Sequence, residues 1–403
     1  MGGESTPNLP AADIVGRVLL DSPSIQAAAS QIRVEEANRT RLEAGQYEWN
    51  IRLGGQQRRS NQTPGIEERY KQWNLAIERP LRLPGKSSLD NELGATGVTQ
   101  AETAHGDALH ENSRGLLKSW FTWLKENAAA EQWAKQVASL EKQGKSVRRR
   151  QQLGDASRLE SIQAEAALAQ AQAQLTHAKA RLQGAGEDLR RRYPGLPLPA
   201  PGEIAAPVPI EGTEADWVNA ILEHSHELEL ARGDTRHAQI LAGRSSHDRI
   251  PDPSIGLHVS QERAGEGTIV GAYISIPLSG DARRAASDAA LAQATATSYR
   301  EAATRQKIAA ESAVLYHSAS AAFAAWQTSR TAAEQLGRAA EMTARAYQLG
   351  EGTLNDLLAA NRLANEAALS MHLGQLEALE LRYRLLLDTH RLWAFDEEKQ
   401  AGN

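Results

Sequence analysis

The sequence has no cysteine. Disulfides, thiolate-ligated zinc and thiol nucleophiles are therefore excluded, and the absence is compatible with an oxidising compartment. Aromatic residues are scarce, 5% of 403, with three Phe and three Met. That is thin material for a thick globular core. No stretch of about 18 apolar residues occurs, so no transmembrane helix is expected. The formal charge of −5 is small for this length, which argues against a general nucleic-acid binder. No Gly-rich phosphate loop, nucleophile motif or His-x-x-x-His helix is present, so neither catalytic residues nor a cofactor is expected. The eleven His are scattered. His224 and His226 are close, but residues two apart on a helix point to different faces, and no metal-ligand set is expected. Met1-Gly2-Gly3 opens into a polar segment, so no secretory signal is expected.

What is abundant is Ala, Gln, Leu, Glu and Arg, the composition of long helices and coiled coils. One short stretch occurs twice. Gln152-Leu153-Gly154-Asp155-Ala156-Ser157-Arg158-Leu159-Glu160 is matched by Gln348-Leu349-Gly350-Glu351-Gly352-Thr353-Leu354-Asn355-Asp356, 196 positions later. Each copy reads as a helix stop at Gly followed by a Ser/Thr start with an acid three residues on. A second block, Ile77-Glu78-Arg79-Pro80-Leu81, recurs at offset 197 as Ile274-Ser275-Ile276-Pro277-Leu278. The Gly turn and the Pro block differ in chemistry yet keep nearly the same spacing, so the chain is a tandem duplication.

In order, a polar arm over 1–10 precedes a helix over 11–44, interrupted near Ser22-Pro23. Strands are expected at 49–57 and 70–81, then a helix over 87–152, roughly 100 Å at 1.5 Å per residue. A helix returns to about Arg192. A Pro-rich connector, 193–212, leads to a helix over 213–242, strands at 254–261 and 268–278, a second very long helix to about Tyr347, and a last helix over 353–395. The domain boundaries expected are a first repeat at 1–192, the connector at 193–212, a second repeat at 213–395 and a tail at 396–403. Leu159, Ile162, Ala166, Ala169 and Ala173 are spaced 3-4-3-4, as are Leu168, Ala171, Leu175, Ala178 and Leu182. Two such seams on one helix suggest close neighbours on two sides. Leu376, Leu379, Tyr383, Leu386 and Trp393 share another seam, with His390 in the remaining slot. The two hairpins cannot close a sheet by themselves, and their edges need partners. Tyr47, Trp49, Tyr70, Trp73 and Tyr273 cluster at the strand ends, as in the aromatic girdles of membrane barrels. Ordinary surface aromatics of a soluble sheet would give the same periodicity.

With these residues the chain resembles the TolC-like family of bacterial outer-membrane efflux proteins over nearly its whole length. The resemblance rests on the repeat, on the Pro-Leu-Gly entries to the long helices (Pro80-Leu81…Gly85-Lys86 and Pro277-Leu278-Ser279-Gly280), and on Tyr347-x-x-Gly350-x-x-Thr353-x-x-Asp356-Leu357-x-x-Ala360. Leu83-Pro84-Gly85-Lys86 is similar to the branch serving heavy-metal pumps of the cobalt–zinc–cadmium type. The family implies a mainly α fold with a small β part: a long helical coiled-coil tunnel in the periplasm plus an outer-membrane β-barrel completed by trimerisation, four strands per protomer. The chain ends and the Pro-rich connector would form a belt around it. Implied partners are two further copies of the chain, a periplasmic adaptor, an inner-membrane pump and outer-membrane lipid. The implied role is a passive exit duct, with heavy-metal cations as substrate. The same fold exporting drugs or proteins is an alternative, as is a soluble coiled-coil scaffold.

Two departures accompany the resemblance. There is no N-terminal Cys to carry a lipid, and Ala359 stands where many members carry a second acid. By the same resemblance Asp356 from three copies forms an acidic constriction, with Glu160 and Tyr347 as the partners that link neighbouring helix pairs. Read from the residues alone, Glu160 and Asp356 are helix caps, and Gly154 and Gly350 are C-caps with positive φ. Leu153, Leu159, Leu349 and Leu354, apolar beside the turns, are expected either to receive the adaptor or to pack the tips.

Overall fold

In the computed structural model the described residues are 7–63, 66–199, 202–262 and 265–393. The elements run α1 (Ala12–Leu20), α2 (Pro23–Ala44), β1 (Asn50–Thr63), β2 (Ile66–Pro80), α3 (Lys86–Gln152), α4 (Arg158–Arg192), α5 (Glu214–His224), α6 (His226–His247), β3 (Ser254–Glu262), β4 (Gly267–Ser275), α7 (Asp281–Leu349) and α8 (Leu354–Asp388). The second half repeats the order of the first: two shorter helices, a hairpin, a very long helix and a returning helix.

Several boundaries differ from the expectation, among them β4, which ends at Ser275. β1 and β2 extend well past 57 and before 70, because ladder pairing carries polar residues that show no alternation. The helix expected over 213–242 is two helices, since Ser225 takes an extended conformation (ψ 109°). The last helix stops at Asp388, and His390 turns the chain with a φ of +56°. His390 and Trp393 therefore leave the helical seam that Leu376, Leu379, Tyr383 and Leu386 keep. The expected tail at 396–403 lies outside the described residues.

Two compact units divide the chain. One holds residues 1–26, 107–225 and 306–403, the other 27–106 and 226–305. The first is helical. Leu116, Leu117, Trp120, Phe121 and Leu124 of α3 are buried, as are Leu376, Leu379, Tyr383 and Leu386 of α8. The Phe121 and Tyr383 rings meet at 6.0 Å. Extended segments are lashed to this core by side-chain hydrogen bonds. Trp120 donates to the Asn8 carbonyl (2.7 Å) and Tyr383 to the Pro7 carbonyl (3.0 Å). Gln375 donates to the carbonyls of Ile204 and Ala205 (both 3.0 Å), and Asn8 bridges to the backbone of Ala205 and Glu203. Backbone without a ladder needs such partners when it lies against a core.

The two small-residue seams of α4 have different fates. Ala171 and Ala178 are buried, with Leu168 and Leu175 packed on the cluster of Val137, Leu140 and Ala171. Leu159, Ile162, Ala166, Ala169 and Ala173 are exposed along the other seam.

The second unit carries the sheet. Its four strands are antiparallel in the order β1-β2-β3-β4, so β2 and β3 join the two hairpins and β1 and β4 are edges.

Candidate functional site

Directly paired residues of an antiparallel sheet share a face, and the register sorts the side chains cleanly. One row is Leu53, Leu75, Val259 and Val270; the next is Ile51, Ile77, Leu257 and Ala272; a third holds Arg79, Ile255 and Ile274. Among them Ile51, Leu53, Leu75, Ile255, Leu257, Val270 and Ile274 are exposed large apolar residues. The opposite face carries Asn50, Arg52, Gln72, Asn74, Glu78, His258 and Ser260. There Glu78 accepts from Asn50 and Arg52 (both 3.2 Å) and from the Tyr273 hydroxyl (2.8 Å). Gly256 makes this reach possible: a Cβ at that position would lie 2.4 Å from the Tyr273 ring. A sheet with an apolar face open to its surroundings and a hydrogen-bonded polar face inverts the pattern of a soluble sheet. The same alternation of one apolar and one polar face characterises the strands of membrane barrels.

Of the aromatic residues expected to form girdles, Trp49 and Trp73 lie at the margins of the apolar face. Trp49 is exposed under the Arg79 guanidinium (5.5 Å), and Trp73 donates to Gln261 (2.5 Å). Their rows are six residues apart, about 20 Å along a strand. Tyr70 and Tyr273 lie on the polar face, Tyr70 bonded to Glu68. Tyr47 precedes the sheet and donates to Asp252 (2.8 Å). Of the five aromatic residues only Trp49 and Trp73 share the apolar face, because strand parity sends Tyr70 and Tyr273 to the other side.

Beside the sheet, Leu83-Pro84-Gly85-Lys86 has a structural task. The Lys86 ammonium is 1% exposed and lies between Asp248 (3.0 Å) and Asp252 (2.9 Å), with the Ile250 carbonyl at 2.9 Å. Asp90 takes Arg82 (2.5 Å) and Arg244 (2.6 Å), and Arg244 also holds Asp248 (2.5 Å). Three cations meet three carboxylates. Burial pushes the Asp248 and Asp252 carboxyls up, but Arg244 and Lys86 at Asp248, and Lys86, the Leu83 N–H and the Tyr47 hydroxyl at Asp252, hold them below the usual range.

The two Gly turns belong to the helical unit and have matching geometry. Gly154 (φ +87°) and Gly350 (φ +80°) close α3 and α7. In each, the next residue's N–H bonds back to a carbonyl five residues earlier: Asp155 to Arg150 (2.8 Å) and Glu351 to Ala346 (2.9 Å). These are Schellman closures, which need the left-handed residue Gly supplies. The returning helices then start on full capping boxes. Ser157 exchanges bonds with Glu160, and Thr353 with Asp356, whose carboxylate also accepts from the Thr353 hydroxyl at 2.6 Å.

Glu160 and Asp356 are thus helix caps in this chain, and Asp356 is exposed. Tyr347 makes no bond to Glu160. Its hydroxyl is buried and has no hydrogen-bond partner among the described residues, while Arg150 lies over its ring at 5.2 Å. Burial, partly opposed by Arg150 and reinforced by Glu160, pushes the phenol up. Arg150 is the residue that sequence reading missed; the run Arg148-Arg149-Arg150 before the turn was the available signal.

Between the turns, Val147 of α3, Ala164 of α4, and Leu354 and Leu357 of α8 form one cluster, with Ala344 and Tyr347 of α7 packed on it. Leu354, expected either to receive the adaptor or to pack the tip, is 2% exposed and belongs to this core. Leu153, Leu159 and Leu349 are 69%, 63% and 64% exposed. The difference is helical phase: position N1 of α8 faces inward.

A further cluster in the helical unit had no sequence signal, because its members are up to 278 residues apart. Asp388 is 5% exposed and takes Arg114 (2.8 Å), Arg384 (2.9 Å) and His110 (3.4 Å). Burial raises its carboxyl, but the His110 hydrogen bond and the Arg114 and Arg384 charges outweigh that and hold it at about 2. Among the described residues no group of three His, Asp or Glu is arranged to hold a metal ion, and no helix is long and apolar enough to cross a membrane.

The chain shares its fold with solved outer-membrane proteins. The chain is similar to VceC of Vibrio cholerae, an outer membrane protein, with a TM-score of 0.75 and 16% identity over 94% of this chain and 95% of that one. It is similar to the CmeC outer membrane channel of Campylobacter jejuni (TM-score 0.74, 14% identity, 95% and 85% covered) and to CusC (0.66, 14%, 93% and 91%). No protein-family model and no curated protein matches the sequence.

Proposed function

We propose that this protein is the outer-membrane channel of a tripartite efflux pump, a homotrimer in which each copy gives its four strands to one twelve-stranded barrel. The observation that carries the reading is the sheet itself. It exposes a continuous apolar face and leaves both edges, β1 and β4, without ladder partners. Closing those edges between copies satisfies the backbone and turns the apolar face to lipid, which is the condition for strands in a bilayer. Ala169 and Ala173, the end of the exposed α4 seam away from the turn, support helix packing between copies in the same assembly. The likeness to VceC and CmeC supports the channel role.

In this reading residues 1–192 and 213–395 are the two structural repeats and 193–212 is the connector. Asp356 from three copies lines a cation-attracting constriction, with Glu160 and Tyr347 at the same tips. Leu153, Leu159 and Leu349 receive a periplasmic adaptor. The cargo we assign is heavy-metal cations, on the resemblance of Leu83-Pro84-Gly85-Lys86; a duct needs no tight site to pass them. Energy for transport comes from the inner-membrane pump, and this chain performs no chemistry.

The test uses the absence of native cysteine. Cysteines placed at one edge of β1 and one edge of β4 yield disulfide-linked trimers of the detergent-extracted protein if the edges pair between copies. Linkage only within one chain overturns the reading. For cargo, deletion of the gene sensitises cells to zinc, cobalt or cadmium; sensitivity confined to antibiotics reassigns the duct to drugs.

A further inference from the structure

The duplicated turns keep their caps and their exposed leucines but have diverged in charge. Residues 141–160 hold six Lys and Arg against three acids, whereas the matched residues 337–356 hold two against three. Where the first copy has Lys145 and Arg158, the second has Glu341 and Leu354. Lys142, Lys145 and Arg149 are exposed and lie at i, i+3 and i+7, one stripe of α3 leading to Leu153. Arg158 is exposed across the turn beside Leu159. None of these four has an ion-pair partner among the described residues. Arg148 is 3.9 Å from Glu165, and Arg150 is occupied by Tyr347 and the Asp155 carbonyl. The second turn has no counterpart to this set.

We propose that the first turn, and not the second, docks the acidic end of a helical partner protein, its carboxylates matched to Lys142, Lys145, Arg149 and Arg158 around an apolar contact on Leu153 and Leu159. This rests on the reading above that the tips receive an adaptor, and names the chemistry of its docking end. Charge complementarity identifies the sign of the partner. Its helical form follows from Leu159, Ile162 and Ala166, an exposed 3-4 stripe that accepts the knobs of another helix. Exposed cations around an apolar centre make a rim that sets encounter rate and partner choice, while the leucines hold the complex. The duplication supplied two equivalent tips; charge divergence lets one partner distinguish them.

The experiment places a photo-cross-linking residue at Gln152 or at the matched Gln348, both exposed, in the full chain in native membranes, and sequences the cross-linked species by mass spectrometry. The expected adduct at 152 is a helical peptide of net negative charge, with far less at 348. In the Lys145→Glu, Arg149→Glu, Arg158→Glu variant it falls about ten-fold or more, the size of effect expected for like-charge juxtaposition at a docking rim. The milder Lys145→Gln, Arg149→Gln variant reduces it in the same direction, and trimer yield on native gels shows both remain folded. A neutral or basic peptide, equal capture at 152 and 348, or capture indifferent to charge reversal overturns the acidic-partner proposal and leaves tip docking intact. A phospholipid adduct at 152 assigns the patch to lipid and overturns it too. Absence of any adduct at both positions removes tip docking itself.

Discussion

The guanidinium of Arg150, three residues before Leu153, lies 5.2 Å from the centre of the Tyr347 ring, three residues before Gly350. This contact joins the ends of the two long helices across the duplication, beside the shared cluster of Val147, Ala164, Leu354 and Leu357. A cation over an aromatic face contributes about 0.5–2 kcal/mol, small enough for partner binding to release. Arg150→Ala and Tyr347→Ala should therefore loosen the tips and raise single-channel conductance in planar bilayers. Tyr347→Phe keeps the ring and removes a hydroxyl that has no hydrogen-bond partner, so its conductance should stay at the wild-type value. A large rise in Tyr347→Phe would show that the hydroxyl, not the ring, does the linking.

Asp356 caps its own helix through Thr353. Asn accepts the same bonds, so Asp356→Asn removes charge while costing the cap only a few tenths of a kcal/mol. In the proposed trimer three such carboxylates near one axis would attract cations, and the substitution should lower cation selectivity and relieve block by divalent ions added on the periplasmic side. Unchanged selectivity would confine Asp356 to capping.

Substitutions at the tip leucines should separate by burial. Leu153→Asp or Leu349→Asp places a charge on an exposed position and should leave the trimer intact while weakening adaptor capture. Leu354→Asp buries a charge in the four-helix cluster and should cost about 3–5 kcal/mol, lowering trimer yield on native gels.

Lys86→Met should be as damaging beside the sheet. It leaves Asp252 without a cation partner, while Asp248 keeps Arg244, and breaking this buried pair costs on the order of 3 kcal/mol. Thermal denaturation in detergent measures this, and recovery in the Lys86→Met, Asp252→Asn double variant would show that the ion pair is responsible.

Acid should act through Asp388. Its carboxyl is held at about 2, below the unfolded value near 3.9. A carboxylate with a depressed folded pKa contributes stability above its unfolded pKa and loses it as pH falls through the folded one. That contribution is about 2–3 kcal/mol at neutral pH. Asp388→Asn should therefore destabilise the protein at pH 7, and the difference from wild type should shrink as pH falls from 4 to 2. A gap independent of pH would trace the loss to packing.

Local chemistry settled much of this protein. The Gly-Ser and Gly-Thr turns announced their caps, since a left-handed residue and an N3 acid act within one helical turn. The repeat, the long helices and the alternating strands followed from spacing alone. Partners remote in sequence did not. Arg150 on Tyr347, Lys86 between Asp248 and Asp252, and Asp388 beneath Arg114 and His110 depend on how helices bring distant residues together. Leu354 shows the same limit in one residue: beside an exposed turn, only the phase of α8 against α3 and α4 turns it inward. Tyr70 and Tyr273 show it in the sheet, where the register of four strands decides which face an aromatic ring takes. Sequence periodicity fixes which residues share a stripe; the packing of one element on another decides which stripe is covered.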